Sequence, residues 1–80
     1  MRIREARMRD ASSIVQMLPE TEKISEKEVM DMIQKGEPAV YVGTDFGANI
    51  LGCAFGSDKI YLSSNCLEAN AAEELKGMYK

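Results

Sequence analysis

The spacing of apolar positions changes along the chain, and each change predicts a new element. The opening segment MRIREA alternates apolar and polar residues, which predicts a short strand. The spacing then becomes helical, with Asp10 expected as the N-cap and Pro19 ending the run. The predicted buried face of this first helix consists of Ala11, Ile14, Val15 and Leu18.

A second helix has clearer boundary signals. Ser25 and Glu28 have the spacing of a capping box, so the helix is expected to begin just after Ser25. Gly36 can adopt the left-handed conformation that ends a helix, and Pro38 prevents continuation. Its predicted buried stripe contains Val29, Met30 and Ile33.

The second half of the chain predicts three strands and a final helix. Residues 39–44 and 50–56 are apolar, with turn residues between them, and they indicate a β-hairpin. Residues 60–67 predict a fourth strand, and the Ala- and Glu-rich residues 68–80 predict a helix. The expected fold class is therefore α+β, in the order β-α-α-β-β-β-α, with helices packed on one antiparallel sheet in a single small domain, residues 1–80.

Composition and charge restrict the function classes. The chain has 80 residues, of which 45% are hydrophobic and 29% are charged, as expected for an ordinary soluble domain. Its net charge of −3 argues against nucleic acid as a partner, because phosphates need a basic surface. No apolar stretch approaches the roughly 20 residues that cross a bilayer, so no membrane partner is expected.

Two cysteines and the absence of histidine restrict the chemistry further. Cys53 and Cys66 do not have the spacing of a metal site, and without histidine no zinc site or other metal site is predicted. The sequence begins without the features of a signal peptide, so the expectation is a cytoplasmic protein with two reduced thiols. Cys53 lies in the middle of a predicted strand and is expected to be a buried structural thiol.

Three stretches, taken in order, resemble a known family. They are RIREARMRDASSIVQML (2–18), AVYVGT (39–44) and ILGCAFG (50–56). Together they resemble the N-terminal half of the GNAT superfamily of N-acetyltransferases, over about residues 2–64. The matching positions of the first helix are Asp10, Ile14, Met17 and Leu18.

The resemblance implies a cofactor and a place for it. Members of the family bind acetyl-coenzyme A where two central strands separate, and backbone amides of a loop R/Q-x-x-G-x-G/A after the fourth strand hold the pyrophosphate. The corresponding segment here, EANAAEELKGMYK, has neither the initial Arg or Gln nor the paired glycines, and it adds three glutamates. Acetyl-coenzyme A thus stays an open prediction, and no catalytic residue is assigned. The candidates for contact with it, at the expected strand end, are Ser64, Asn65, Cys66 and Leu67.

Two function classes follow. The sequence ends at roughly half the usual length of such a domain, so the first expectation is a truncated or degenerate acetyltransferase-like domain that is not catalytically competent as this chain alone. If it were active, it would transfer acetyl from acetyl-coenzyme A to an amine. The alternative is a small non-enzymatic binding, regulatory or protein-interaction module. In either class an unfinished sheet edge would suit a homodimer or a partner chain.

Overall fold

The computed structural model of the chain describes residues 1–79 and confirms the predicted α+β class and element order. The final helix was expected to extend to Lys80, which lies outside the described residues. Single 3-10 turns at Met8–Asp10 and Glu20–Glu22 precede α1 and α2. The main elements are β1 (Arg2–Glu5), α1 (Ala11–Met17), α2 (Glu26–Lys35), β2 (Tyr41–Thr44), β3 (Ile50–Ala54), β4 (Ile60–Leu62) and α3 (Ala71–Gly77).

The four strands form one antiparallel sheet in the order β1-β2-β3-β4. Val42 pairs with Arg4 on one side and Cys53 on the other, and Cys53 pairs with Tyr61. The β2–β3 register shifts beyond Gly43, where Gly52 is its partner but Ile50 is the partner of Thr44. One residue of β3, Leu51, is therefore extra, which makes a β-bulge beside Gly52.

Helices cover both faces of the sheet. Val42 and Cys53 belong to the main core, together with Ile14 of α1 and Val29 of α2. The next position along β3 faces the other way, since side chains alternate along a strand. On that second face, a Cβ built at Gly52 would lie 3.2 Å from Leu75 Cδ1 of α3. The sheet is thus the middle layer, with α1 and α2 on one face and α3 on the other.

The helix boundaries confirm one prediction and correct another. Ser25 Oγ accepts a hydrogen bond from the Glu28 amide at 3.1 Å, and Gly36 ends α2 with φ +70°. Asp10 occupies the predicted N-cap position of α1, but the expected capping hydrogen bond from its side chain is not formed. The chain starts to coil earlier, at Met8, and the Asp10 carboxylate reaches back to accept the Arg7 amide at 2.7 Å.

β4 is shorter than the sequence predicts. The strand was expected over 60–67, but it ends at Leu62. The Ser63 amide still donates to Leu51 O at 2.8 Å, and the chain then turns, with the Cys66 amide donating to Ser63 O at 3.0 Å. The residue that precedes α3 is Asn70, so Asn65 lies in the loop before the helix.

Candidate functional site

The four predicted contact residues lie in the loop that follows β4 and not on the strand itself. Ser64 and Asn65 are exposed, and Cys66 is half-buried. Leu67 is 93% exposed, so its side chain has almost no protein neighbours. The four residues stay candidates for ligand contact, but they belong to a turn that leads to α3.

This loop uses part of its own hydrogen-bonding capacity internally. The Asn65 amide donates to Ser63 Oγ at 3.1 Å, and the Cys66 amide donates to Ser63 O at 3.0 Å. A pyrophosphate cradle needs several free amides that point at the anion. Two of the four candidate residues therefore have amides that are already occupied. The adjacent Glu68 carboxylate, which pairs with the amino group of Met1 at 3.3 Å, further disfavours an anion here.

A polar cleft of about 590 Å³ opens between this loop, the β2–β3 turn and α1. Its lining is mostly hydroxyl and amide side chains, and Asn65 is the one predicted candidate among them. Such a lining suits a polar, uncharged ligand group better than a phosphate, because no basic side chain contributes. The polar side chains are those of Ser13, Gln16, Asp45, Asn49, Ser63 and Asn65.

Asp45 is the acidic residue of this lining, and its geometry is that of a turn-stabilising residue. Its Oδ1 accepts the amides of Gly47 and Asn49 at 2.8 and 3.0 Å, and its Oδ2 accepts Asn49 Nδ2 at 3.1 Å. These hydrogen bonds, first among them that of the Asn49 side chain, hold the pKa of Asp45 below its usual value. A carboxylate with a lowered pKa is a weak proton acceptor, so Asp45 is poorly suited to act as a general base.

The two cysteines are free thiols in different surroundings. Cys53 is fully buried in the main core, and burial raises its pKa to about 12. It is therefore a protonated packing residue at neutral pH, since only the thiolate is a good nucleophile. Cys66 is half-buried in the loop after β4.

A second, more apolar pocket of about 340 Å³ lies beside β4 on the α1–α2 face. Phe55 and Tyr61 form part of it, with their ring centroids 6.1 Å apart. Glu22 and Lys59 are its charged lining residues. Burial and the nearby Glu22 carboxylate raise the pKa of Tyr61, so its hydroxyl stays protonated.

The outer edge of β4 is the other notable surface. Phe55 N donates to Lys59 O, and Ser63 N donates to Leu51 O, so the groups directed at β3 belong to residues 59, 61 and 63. By alternation, the N–H and C=O of Ile60 and Leu62 point away from β3. Within residues 1–79 no strand pairs with them.

The two edges of the sheet differ in charge. β1, at one edge, has the sequence RIRE, with three charged side chains. β4, at the other edge, has the sequence IYL and no charge. Charged residues on an edge strand discourage the addition of further strands. By this criterion β1 is protected, whereas β4 is open to pairing.

Sequence reasoning missed the role of Tyr79. Its hydroxyl lies 2.6 Å from Ala39 O and 2.9 Å from Ala54 O, and its ring contacts Tyr41 edge-on at a centroid distance of 5.3 Å. Burial raises the pKa of Tyr79 to about 12. Tyr79 therefore fastens the end of α3 to the sheet. The helical pattern of residues 68–80 gives no sign of these distant carbonyl partners.

These features define a class by architecture: an α+β sheet layered between helices, with a polar cleft and an uncharged open edge. No protein-family model, curated protein or solved structure matched the chain in the comparisons. Within residues 1–79 no three His, Cys, Asp or Glu side chains form a metal-binding group. The helices of this part of the chain are too short or too polar to span a bilayer.

Proposed function

We propose that the chain is an acetyltransferase-like half-domain that does not transfer acetyl groups by itself and whose sheet is continued by a further strand at β4. The observation that carries this proposal is the outer edge of β4, where Ile60 and Leu62 present unpaired backbone groups and no charge. The family resemblance implies that the cofactor cleft lies beside the fourth strand. In that family two strands border the cofactor cleft. A sheet whose fourth strand has an unpaired outer edge suits a domain that supplies only one of those two strands.

The arrangement of layers supports the same proposal. The sequence resemblance covers β1 to β4, and the four strands are antiparallel neighbours in chain order. The first two helices pack on one face and α3 on the other. The element order β-α-α-β-β-β-α is the one in which the resemblance was seen.

The absence of catalysis in this chain alone is inferred from three features of the loop and helix after β4. The loop lacks the glycines that would let a backbone approach pyrophosphate closely. Two of its amides donate to Ser63. Glu68, Glu73 and Glu74 place negative charge where an anionic cofactor would need positive potential.

The alternative, a non-enzymatic interaction module, has a specific observation in its favour. The apolar pocket formed by Phe55 and Tyr61 adjoins the open edge of β4. Strand addition combines main-chain hydrogen bonds with pockets for alternate side chains, and this corner of the protein offers both. Such a module would bind an extended peptide segment and would not bind acetyl-coenzyme A.

A titration with acetyl-coenzyme A followed by amide NMR separates the two functions. The acetyltransferase-like function predicts weak, saturable shifts clustered in residues 64–77, with 3′,5′-ADP as a control for binding by the nucleotide alone. No shift at millimolar acetyl-coenzyme A would refute the relation to acetyl-coenzyme A and favour the interaction module. Steady release of coenzyme A in the presence of amines would instead contradict the proposed lack of activity.

A further inference from the structure

We infer that the strand added at β4 is β4 of a second copy of this chain, antiparallel and with Tyr61 on the two-fold axis. The inference rests on the proposed function only in that both use the outer edge of β4. It names the occupant, which the proposed function leaves open. The partner is identified by the pattern of backbone groups, side chains and charges along this edge.

The backbone groups favour a single register. Each copy presents the N–H and C=O of Ile60 and of Leu62 at its outer edge. When Tyr61 faces Tyr61 of the second copy, Ile60 of each copy faces Leu62 of the other as a hydrogen-bonded pair. Two such pairs with two bonds each give four interchain hydrogen bonds, which use every outward group of both strands. A two-fold axis at Ile60 or Leu62 would instead require partners beyond the strand ends.

The side chains in this register are complementary. Ile60 and Leu62 point to the α3 face, and Leu62 is 42% exposed. Pairing brings Ile60 of one copy against Leu62 of the other and covers this apolar surface. On the opposite face the two Tyr61 side chains meet as a close pair without hydrogen bonds between their backbones, an arrangement that favours aromatic contact. Both faces of the junction are thereby occupied by apolar or aromatic groups.

The charges select antiparallel over parallel pairing. Asp58 and Lys59 precede β4, whereas Ser63, Ser64 and Asn65 follow it. In the antiparallel register Lys59 lies opposite Ser63 of the second copy, and Asp58 opposite Ser64. In a parallel pair Asp58 would lie beside Asp58 of the second copy, and Lys59 beside Lys59. Like charges that face each other destabilise a sheet. Glu22 lines the same pocket as Lys59, so the positive charge of Lys59 has a negative charge nearby within its own chain.

Sedimentation velocity without any cofactor tests the dimer first. With 8.9 kDa per chain, the average mass should rise with concentration from 8.9 kDa towards 2 × 8.9 = 17.8 kDa. Leu62→Lys should weaken association at least about tenfold, because it replaces an apolar contact with Ile60 of the second copy by a charged ammonium group on the edge strand, twice per dimer. Met8→Lys is the matched control, because Met8 is 41% exposed and lies outside the sheet, and it should associate like the wild type.

Oxidative cross-linking tests the register separately, in a background that lacks both native thiols, Cys53→Ala with Cys66→Ser. Cys53 is replaced because it pairs with Tyr61 across β3 and β4, so its thiol would compete for a cysteine at position 61 within the same chain. Tyr61→Cys places two thiols across the axis in a pair without backbone hydrogen bonds, where Cα atoms lie about 4.5 Å apart and a disulfide forms readily. Leu62→Cys places them about two residues out of register, so its cross-linking should be several-fold slower. Should Leu62→Lys fail to fold, the ratio of the cross-linking rates of Tyr61→Cys and Leu62→Cys still tests the dimer and its register. A monomeric mass up to 1 mM, or equal cross-linking by the two cysteine variants, would overturn the inference. Neither result depends on acetyl-coenzyme A, so the proposed function stands or falls separately.

Discussion

The contact between Arg4 and Asp10 gives the clearest stability prediction. The Asp10 carboxylate accepts Arg4 Nη1 at 2.8 Å, Arg4 Nη2 at 3.1 Å and the Arg7 amide at 2.7 Å. Asp10 is only 5% exposed, so water cannot easily replace these donors. The contact joins β1 to the turn that begins the first helix. Asp10→Asn keeps the shape of the side chain but removes the charge that all three donors face.

The expected loss is about 2–3 kcal/mol of unfolding free energy at pH 7. A hydrogen bond to a charged group contributes about 1.5–3 kcal/mol, so three fully lost bonds would cost more than this. The side-chain amide of the Asp10→Asn variant still offers one oxygen to the three donors, which lowers the expected loss. The Arg4 side chain is 30% exposed and regains contact with water in the variant, which reduces the total. At about 4–8 °C per kcal/mol for a domain of this size, the melting temperature should fall by about 10–20 °C. Urea unfolding followed by circular dichroism measures the difference directly.

The pH dependence gives the same prediction a second test. Hydrogen bonding from Arg4 lowers the pKa of Asp10 below its ordinary value of 3.8. A lowered folded-state pKa means that the stabilisation is present above about pH 4 and is lost as the pH falls through the folded value. The difference between wild type and Asp10→Asn should therefore shrink at about pH 2.5. Asp31→Asn, at an exposed position of α2, is the matched control and should change stability little. A difference below about 0.5 kcal/mol at pH 7, or one unchanged in acid, would refute the reasoning.

Three further predictions use the same unfolding assay. Gly52→Ala should lower the free energy of unfolding by about 1–3 kcal/mol, because the added Cβ would lie 2.8 Å from Leu62 Cδ2. Its control, Gly77→Ala in α3, meets nothing within 4 Å and should raise the free energy of unfolding by up to about 1 kcal/mol. Ala48→Gly should stabilise by up to about 1 kcal/mol, because Ala48 has φ +64° in the β2–β3 turn; a loss of stability would contradict this strain. Tyr79→Phe should cost about 1 kcal/mol at neutral pH. Because the pKa of Tyr79 is raised to about 12 from 10.0, its stabilisation is present below pH 10 and lost as the pH rises towards 12, so the gap between wild type and Tyr79→Phe should close there.

The sequence was most informative where structure depends on local chemistry. The limits of α2 follow from Ser25 and Gly36, which act on their own helix and cap its start and its end as predicted. The Glu28 side chain accepts from Ser25 Oγ at 3.5 Å, so only the Ser25 half of the predicted capping box is formed. Gly52, a glycine inside a predicted strand, lies beside the β-bulge and where Leu62 approaches β3 closely. These features are set by hydrogen bonds and conformational preferences a few residues apart, so the pattern alone suffices.

Prediction failed where the outcome depends on distant contacts. The apolar character of 60–67 indicated a longer strand, but Ser63 closes a turn through its own oxygens. Asp10 lies at the predicted N-cap position, but its carboxylate binds Arg4 of β1, a contact between two elements that the local pattern does not predict. The polar cleft is lined by three segments that are distant in sequence. They are α1 with Gln16, the β2–β3 turn with Asn49 and the loop after β4 with Asn65, and no periodicity in the sequence connects them. Such sites exist only once the sheet has fixed the relative positions of the segments.

The outer edge of β4 is central to this account, and amide hydrogen exchange tests it most directly. In dilute protein the Tyr61 amide should be protected by β3, while the amides of Ile60 and Leu62 exchange quickly. With rising protein concentration the amides of Ile60 and Leu62 should become protected in parallel with dimer formation. Protection of both amides already in dilute monomer would show that the edge is not open. Fast exchange of both at every concentration would show that no second copy occupies it.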